Sequence, residues 1–178
     1  MSSNEYFSHK SAIISEHAKI GKNTRIWHFS HIREGASIGE NVTIGQNVYI
    51  DSDVVIGDNC KIQNNVSVYK GVIIEDNVFI GPSVTFTNDL YPSTQEWNDE
   101  MIVNTLVKDS VSIGANSTII CGVEIGKNSL IGAGSVVTKN ISDNVLAFGN
   151  PARVIKKDYK KINNKLCISN IEDLISII

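Results

Sequence analysis

The chain has 178 residues, a formal net charge of −3, 42% hydrophobic residues and 20% charged ones. That is one ordinary domain with enough apolar content for a core, and too acidic for a broadly basic nucleic-acid binder. There is no apolar run of membrane-spanning length and no signal-peptide stretch in the first ten residues. Cys60, Cys121 and Cys167 are spaced neither for a disulfide framework nor for zinc, so a cytoplasmic protein with reduced thiols and no membrane insertion is expected.

The apolar residues are unevenly chosen, with 27 Ile and 17 Val against 6 Leu. Stiff β-branched side chains suit short strands, and the 19 Asn and 13 Gly suit turns that need left-handed backbone. From Ile14 every sixth residue is bulky and apolar through Ile20, Ile26 and onward to Phe86, 13 positions without a break. Two residues before each stands a small or β-branched residue, from Ala12 and Ala18 through Cys60. Two inward residues flanking an outward one make a short strand, and the rest of the hexad turns a corner. Three hexads then close a triangular coil, and stacked coils pair each strand with the one above.

Between Phe86 and Val107 the step is 21 residues where an unbroken phase needs 6, so fifteen residues are extruded at one corner. The extruded segment is largely polar, carries Tyr91 and Trp97, and is expected to pack on a neighbouring subunit. The hexads resume at Val107 and run through Ile113, Ile119, Ile125 and Ile131 to Val137. The 19 hexads in all predict about six coils and a prism roughly 30 Å tall. The period fails at Asp143, FGNPAR is expected to leave the prism, and a basic stretch follows. A capping box at Ser169–Glu172 predicts a short helix to Ile178. The expected division is therefore a β-helix over 1–155, with a loop insertion over 87–106, and a basic extension over 156–178.

The hexads IGENVT, IGQNVY and IGANST resemble the hexapeptide-repeat signature of left-handed β-helix acyltransferases. The left hand is what that resemblance implies; the usual rule for parallel crossovers gives the opposite. A narrower likeness runs through IWHFSHI (26–32), KIQNNVSVY (61–69), GPSVTFTND (81–89), NTLVKDSVSIGAN (104–116) and FGNPARVI (148–155). Together these are similar to the N-acetyltransferases that acetylate dTDP- or UDP-linked amino sugars for surface polysaccharides.

The implied reaction is attack of a sugar amine on the thioester of acetyl-CoA, with no metal. It needs an unprotonated amine, a donor for the oxyanion and a route for the proton. The resemblance places Asn88 at the acceptor, and position suggests Asp89 as the base. His28 and His31 flank the inward Ser30, face outward, and compete for that role. Direct proton transfer to the departing CoA sulfur is a third route. Tyr91 and Glu96 of the loop, with Asn64 and Tyr69 of the matched segments, complete the expected acceptor set. Gly114, Gly132, Lys139, Asn150, Pro151, Arg153 and Lys156 form the expected set for acetyl-CoA. The outward aromatics Trp27, Phe29, Tyr49 and Tyr69, together with His28, predict a homotrimer with sites between subunits, as the resemblance also implies. A sugar O-acetyltransferase of the same fold and a non-catalytic β-helix scaffold remain the alternatives.

Overall fold

The computed structural model describes residues 5–94 and 98–158, with the backbone of Lys161–Ile162 and Lys165–Leu166. The expected helix after Ser169, and also Glu96 and Trp97, lie outside the described residues.

The hexads form strands of two or three residues, and successive strands fall on three parallel sheets in rotation. The first face runs from Phe7–Ser8 through Arg25–Ile26, Thr43–Ile44, Lys61–Ile62, Phe79–Ile80, Ser112–Ile113 and Leu130–Ile131 to Leu146–Gly149. The second runs from Ile13–Ile14 through His31–Ile32, Tyr49–Ile50, Ser67–Val68, Thr85–Phe86 and Thr118–Ile119 to Val136–Val137. The third runs from Lys19–Ile20 through Ser37–Ile38, Val55–Ile56, Val72–Ile74 and Thr105–Val107 to Glu124–Ile125. The result is a parallel β-helix of about eight turns whose form fits the left-handed coil.

Register follows the repeat. Arg25 pairs with Thr43 and Ile26 with Ile44, one coil of three hexads apart. Across the insertion, Val72 pairs with Thr105 and Phe79 with Ser112, which is the same coil lengthened by the fifteen extruded residues. The inward Ile column is closed to solvent, with Ile26, Ile44, Ile62, Ile80, Ile113 and Ile131 each at 0% exposure. Each such side chain contributes about 1.5–3 kcal/mol of burial. Among the small polar inward positions, Thr24 donates to the corner carbonyl Gly39 O at 2.8 Å and Ser30 to Gly45 O at 2.7 Å. Asn residues supply the left-handed corner positions, among them Asn23, Asn41, Asn59 and Asn77, each with φ between 56° and 59°.

Three expectations need correction. The prism has about eight turns rather than six, because a strand at Phe7–Ser8 precedes the first counted hexad and the wall continues past Val137. The failure of the period at Asp143 marks a shorter coil, not an exit: Ile125 bridges Ile141 and Ile131 pairs with Ala147. FGNPAR likewise stays on the wall. Phe148 and Gly149 end a strand of the first face, the chain turns at the cis Asn150–Pro151 bond, and Ala152–Lys156 returns antiparallel beside it. Thr105 and Leu106, at the end of the 87–106 segment, pair on the third face with Val72 and Ile73.

Candidate functional site

The long loop leaves at the corner between the second and third faces, and its first residues are held firmly. Thr87 Oγ1 accepts the Cys121 N–H at 2.9 Å, tying the exit to the coil above. The Asn88 carbonyl accepts the Val103 N–H at 2.9 Å, which closes the neck of the loop. Asp89 Oδ1 accepts the Tyr91 N–H at 2.7 Å, a local turn that commits one carboxylate oxygen. Tyr91 itself projects outward, 86% exposed. On the return leg, Asn98 caps a single helical turn at Asp99–Met101 by accepting the Glu100 N–H at 2.9 Å.

Beneath the neck the same corner carries a polar column. Asp51 is buried and accepts from the Tyr49 hydroxyl at 3.0 Å, Arg33 Nη1 at 3.1 Å, the Ser52 N–H at 2.8 Å and the Lys70 N–H at 3.2 Å. Burial, reinforced by the Asp51 carboxylate, pushes the Tyr49 phenol above its ordinary pKa. The Tyr49 ring sits 5.7 Å from His31 and 5.6 Å from Tyr69. One coil higher, Lys70 Nζ lies 2.7 Å from Asp99 Oδ2 of the loop and 3.2 Å from Asp53 Oδ2 of the wall. Hydrogen bonds to Asp99 and then Asp53 raise the Lys70 pKa.

The other edge of the second face, its corner with the first, holds a different set. His28 stacks on His9 at 3.6 Å and lies beside Trp27. Asn64 Oδ1 accepts the Gln46 N–H at 2.9 Å, so its side chain fastens adjacent coils. Gly114 and Gly132 are needed for the same stacking: a Cβ would come 2.4 Å from Ala133 N at the first and 2.6 Å from Phe148 Cβ at the second. Their missing side chains make room for the next coil. Asn150 and Pro151 form the hairpin turn above them, and Arg153 and Lys156 stand exposed on the returning strand.

The structure thus gathers Tyr69, Asn88, Asp89 and Tyr91 on one corner, with Lys139 exposed on that corner two coils above. It gathers His28, Asn64, Gly114, Gly132, Asn150 and Pro151 on the other. His31 lies on the face between them, outward as expected. It does not bring the rival bases together. His31 is three strands below Thr85–Phe86 on the second face, a separation of roughly 14 Å. Cys60 is a core residue whose thiol burial pushes up to about 11, an unreactive position.

Lys70, Asp51, Arg33 and Asp99 were not given a role from the sequence, and Tyr49 was read there only as an outward aromatic. Arg33 and Asp51 are related by one coil, so a comparison of corner residues three hexads apart would have found that pair. Asp99 lies in the extruded loop, off the period, and no spacing argument reaches it. Among the described residues no three His, Cys, Asp or Glu side chains gather in a way that would hold a metal, and no helix is long and apolar enough to cross a membrane.

The family model described as bacterial transferase hexapeptide (six repeats) matches residues 17–52, 53–88 and 104–139, skipping the loop. A second, the hexapeptide repeat of succinyl-transferase, matches 35–70. Over 55 residues the chain is 53% identical to the dTDP-3-amino-3,6-dideoxy-alpha-D-galactopyranose 3-N-acetyltransferase of Aneurinibacillus thermoaerophilus, 31% of this chain and 29% of that protein. Over 83 residues it is 37% identical to the galactoside O-acetyltransferase of Lactococcus lactis, 45% of this chain and 40% of that protein. The matched segments therefore span less than half the length of these curated relatives. Among solved structures, a galactoside acetyltransferase in complex with coenzyme A superposes with a TM-score of 0.61 at 34% identity, covering 73% of this chain and 66% of that one.

Proposed function

The chain belongs to the bacterial transferase hexapeptide family, and from that premise we propose that it is an acetyl-CoA-dependent N-acetyltransferase acting on the amino group of a dTDP- or UDP-linked sugar. The observation that carries this reading is the neck of the loop. Asn88 and Asp89 are fixed side by side where the rigid wall gives way to the long insertion, through the Val103-to-Asn88 and Tyr91-to-Asp89 hydrogen bonds. The likeness to a dTDP-amino-sugar N-acetyltransferase points the same way.

In this mechanism Asn88 orients the sugar and Asp89 receives a proton from its ammonium group. Oδ1 holds the turn, so the proton goes to Oδ2. The freed nitrogen lone pair attacks the thioester carbonyl, forming the C–N bond and an oxyanion. Collapse breaks the C–S bond, and the thiolate leaves as CoA with the second amine proton. Because a thioester is already activated, positioning supplies much of the acceleration, and corner N–H groups stabilise the oxyanion. Arg153 and Lys156 meet the CoA phosphates, and exposed Lys139 adds a further positive charge. Tyr91 and Tyr69 offer rings to the nucleotide base. A neighbouring copy in a homotrimer covers Tyr91 and supplies the opposite wall of the site.

The galactoside acetyltransferase likeness favours one other reading, transfer to a sugar hydroxyl with His28 or His31 as base. The two separate cleanly in an assay of free CoA thiol release across a panel of dTDP- and UDP-amino sugars and their hydroxyl counterparts. Turnover confined to the amino sugars is expected. Turnover confined to the hydroxyl sugars, or none with acetyl-CoA at all, would overturn the proposal.

A further inference from the structure

The return leg of the loop is seated on the wall at three points. Ile102 occupies the space above Gly71, where a Cβ would come 2.6 Å from Ile102 Cγ2, and Gly71 takes φ +94°, a conformation open to glycine. Val103 packs over Gly122 in the same way, with its Cγ1 3.0 Å from where a Cβ would stand. Lys70 then spans from wall to loop: its backbone N–H is held by buried Asp51, and its Nζ bridges Asp53 and Asp99. Lys70, Asp53 and Asp99 line a groove of about 390 Å³ together with Val55, Ile73, Ile102 and Asn104. Among the described residues, Lys70–Asp99 is the ion pair that joins loop to wall.

We propose that Lys70 is a positioning residue: by pinning Asp99 it fixes the segment Asp99–Asn104, and through the Val103-to-Asn88 hydrogen bond it sets where Asn88 and Asp89 stand. This rests on the functional reading above for its catalytic consequence, though not for the latch itself. The latch is releasable by construction. Asp53 keeps a partner for Nζ when Asp99 lets go, and an exposed pair of this kind shifts an opening equilibrium by about fivefold at most. That is enough to change how often the neck is formed and too little to change whether the β-helix folds, which depends on the buried Ile column.

The test compares Lys70→Met, Lys70→Arg and Asp99→Asn with the wild type by hydrogen exchange at residues 98–104 and by steady-state kinetics. Lys70→Met and Asp99→Asn are expected to speed exchange of the Ile102 and Val103 amides by up to about fivefold. They should raise the apparent KM for the amino sugar by a similar factor and leave that for acetyl-CoA, and the melting temperature, unchanged. Lys70→Arg, which keeps the charge and reach, should restore both readouts. Unchanged exchange in Lys70→Met and Asp99→Asn overturns the latch, as does an arginine variant as loose as the methionine one. Loosened exchange with an unmoved acceptor KM overturns the positioning role. If no amino sugar is turned over by the wild type, the functional reading falls, while the exchange data still decide the latch.

Discussion

Asp89→Asn is an informative single change at the neck, because an amide oxygen still accepts the Tyr91 N–H and the turn is kept while the negative charge is lost. It should lower kcat/KM by roughly 100-fold, the contribution of a positioned base, with acetyl-CoA binding retained. Raising the pH should recover part of the rate, since solvent then supplies free amine. Wild-type kcat/KM at pH 7 in this variant, with activity abolished in His28→Ala or His31→Ala, would assign the base to a histidine. In the core, Ile56→Asp would bury an unpaired charge at a position 2% exposed and should cost several kcal/mol. Thr105 is the opposite case. Its hydroxyl is buried and, among the described residues, without a hydrogen-bond partner, so Thr105→Val should leave stability unchanged or raise it. Chemical denaturation reads both. The corner residue Asp58 accepts the Glu40 N–H at 2.7 Å, so Asp58→Ser should cost about 1 kcal/mol.

Two elements at opposite ends of the prism carry their own expectations. In the lowest coil, His9 Nδ1 accepts from the Ser11 N–H at 3.2 Å and its ring stacks on His28, an arrangement that needs a neutral imidazole. Desolvation by the packed neighbours, then the charges of His28 and Lys10, lower its pKa from 6.5. The folded state therefore binds this proton less readily than the unfolded chain. The stabilisation is fully present above pH 6.5 and is lost as the pH falls toward the lowered folded value. Melting between pH 7.5 and 5 should show a smaller acid loss in His9→Asn than in the wild type, and an equal loss would remove His9 from the account. At the upper end, the hairpin strand Ala152–Lys156 exposes Arg153 and Lys156. Arg153→Ala should raise the KM for acetyl-CoA about tenfold to a hundredfold, the worth of one charge-assisted contact, with the amino-sugar KM unmoved. An unaltered acetyl-CoA dependence would return these side chains to a solvated edge.

For the whole molecule, aromatic rings make up a large part of the exposed apolar surface. Phe7, Trp27, Phe29, Tyr69 and Tyr91 are all exposed in the isolated chain, with Phe29 at 65%. A homotrimer that seats the loop of one prism against the next would cover much of this surface. Light scattering at micromolar concentration should give three times 19.5 kDa; the mass of a single chain would exclude sites shared between subunits. Assembly would also relieve the spatial conflict within one prism, where the corner of Asn88 and the corner of His28 bracket the second face without meeting.

The sequence by itself determined the wall. An unbroken six-residue phase from Ile14 to Phe86 buries one inward column when three hexads close each coil, and the phase resumed after the loop pairs Val72 with Thr105, while the hand of the coil came from the resemblance. It also located the loop, because a break in phase is visible as arithmetic, while Asn88 was named from the resemblance and Asp89 from its position beside it. The tertiary structure alone decided what the off-period residues do. Asp99 finds Lys70, Ile102 finds the bare Cα of Gly71, and the last coil closes early so that Ala147 meets Ile131. The physical reason is one of range: burial repeats along the chain and is written in local periodicity, while ion pairs and glycine seats join residues from different coils, whose meeting depends on how the coils stack.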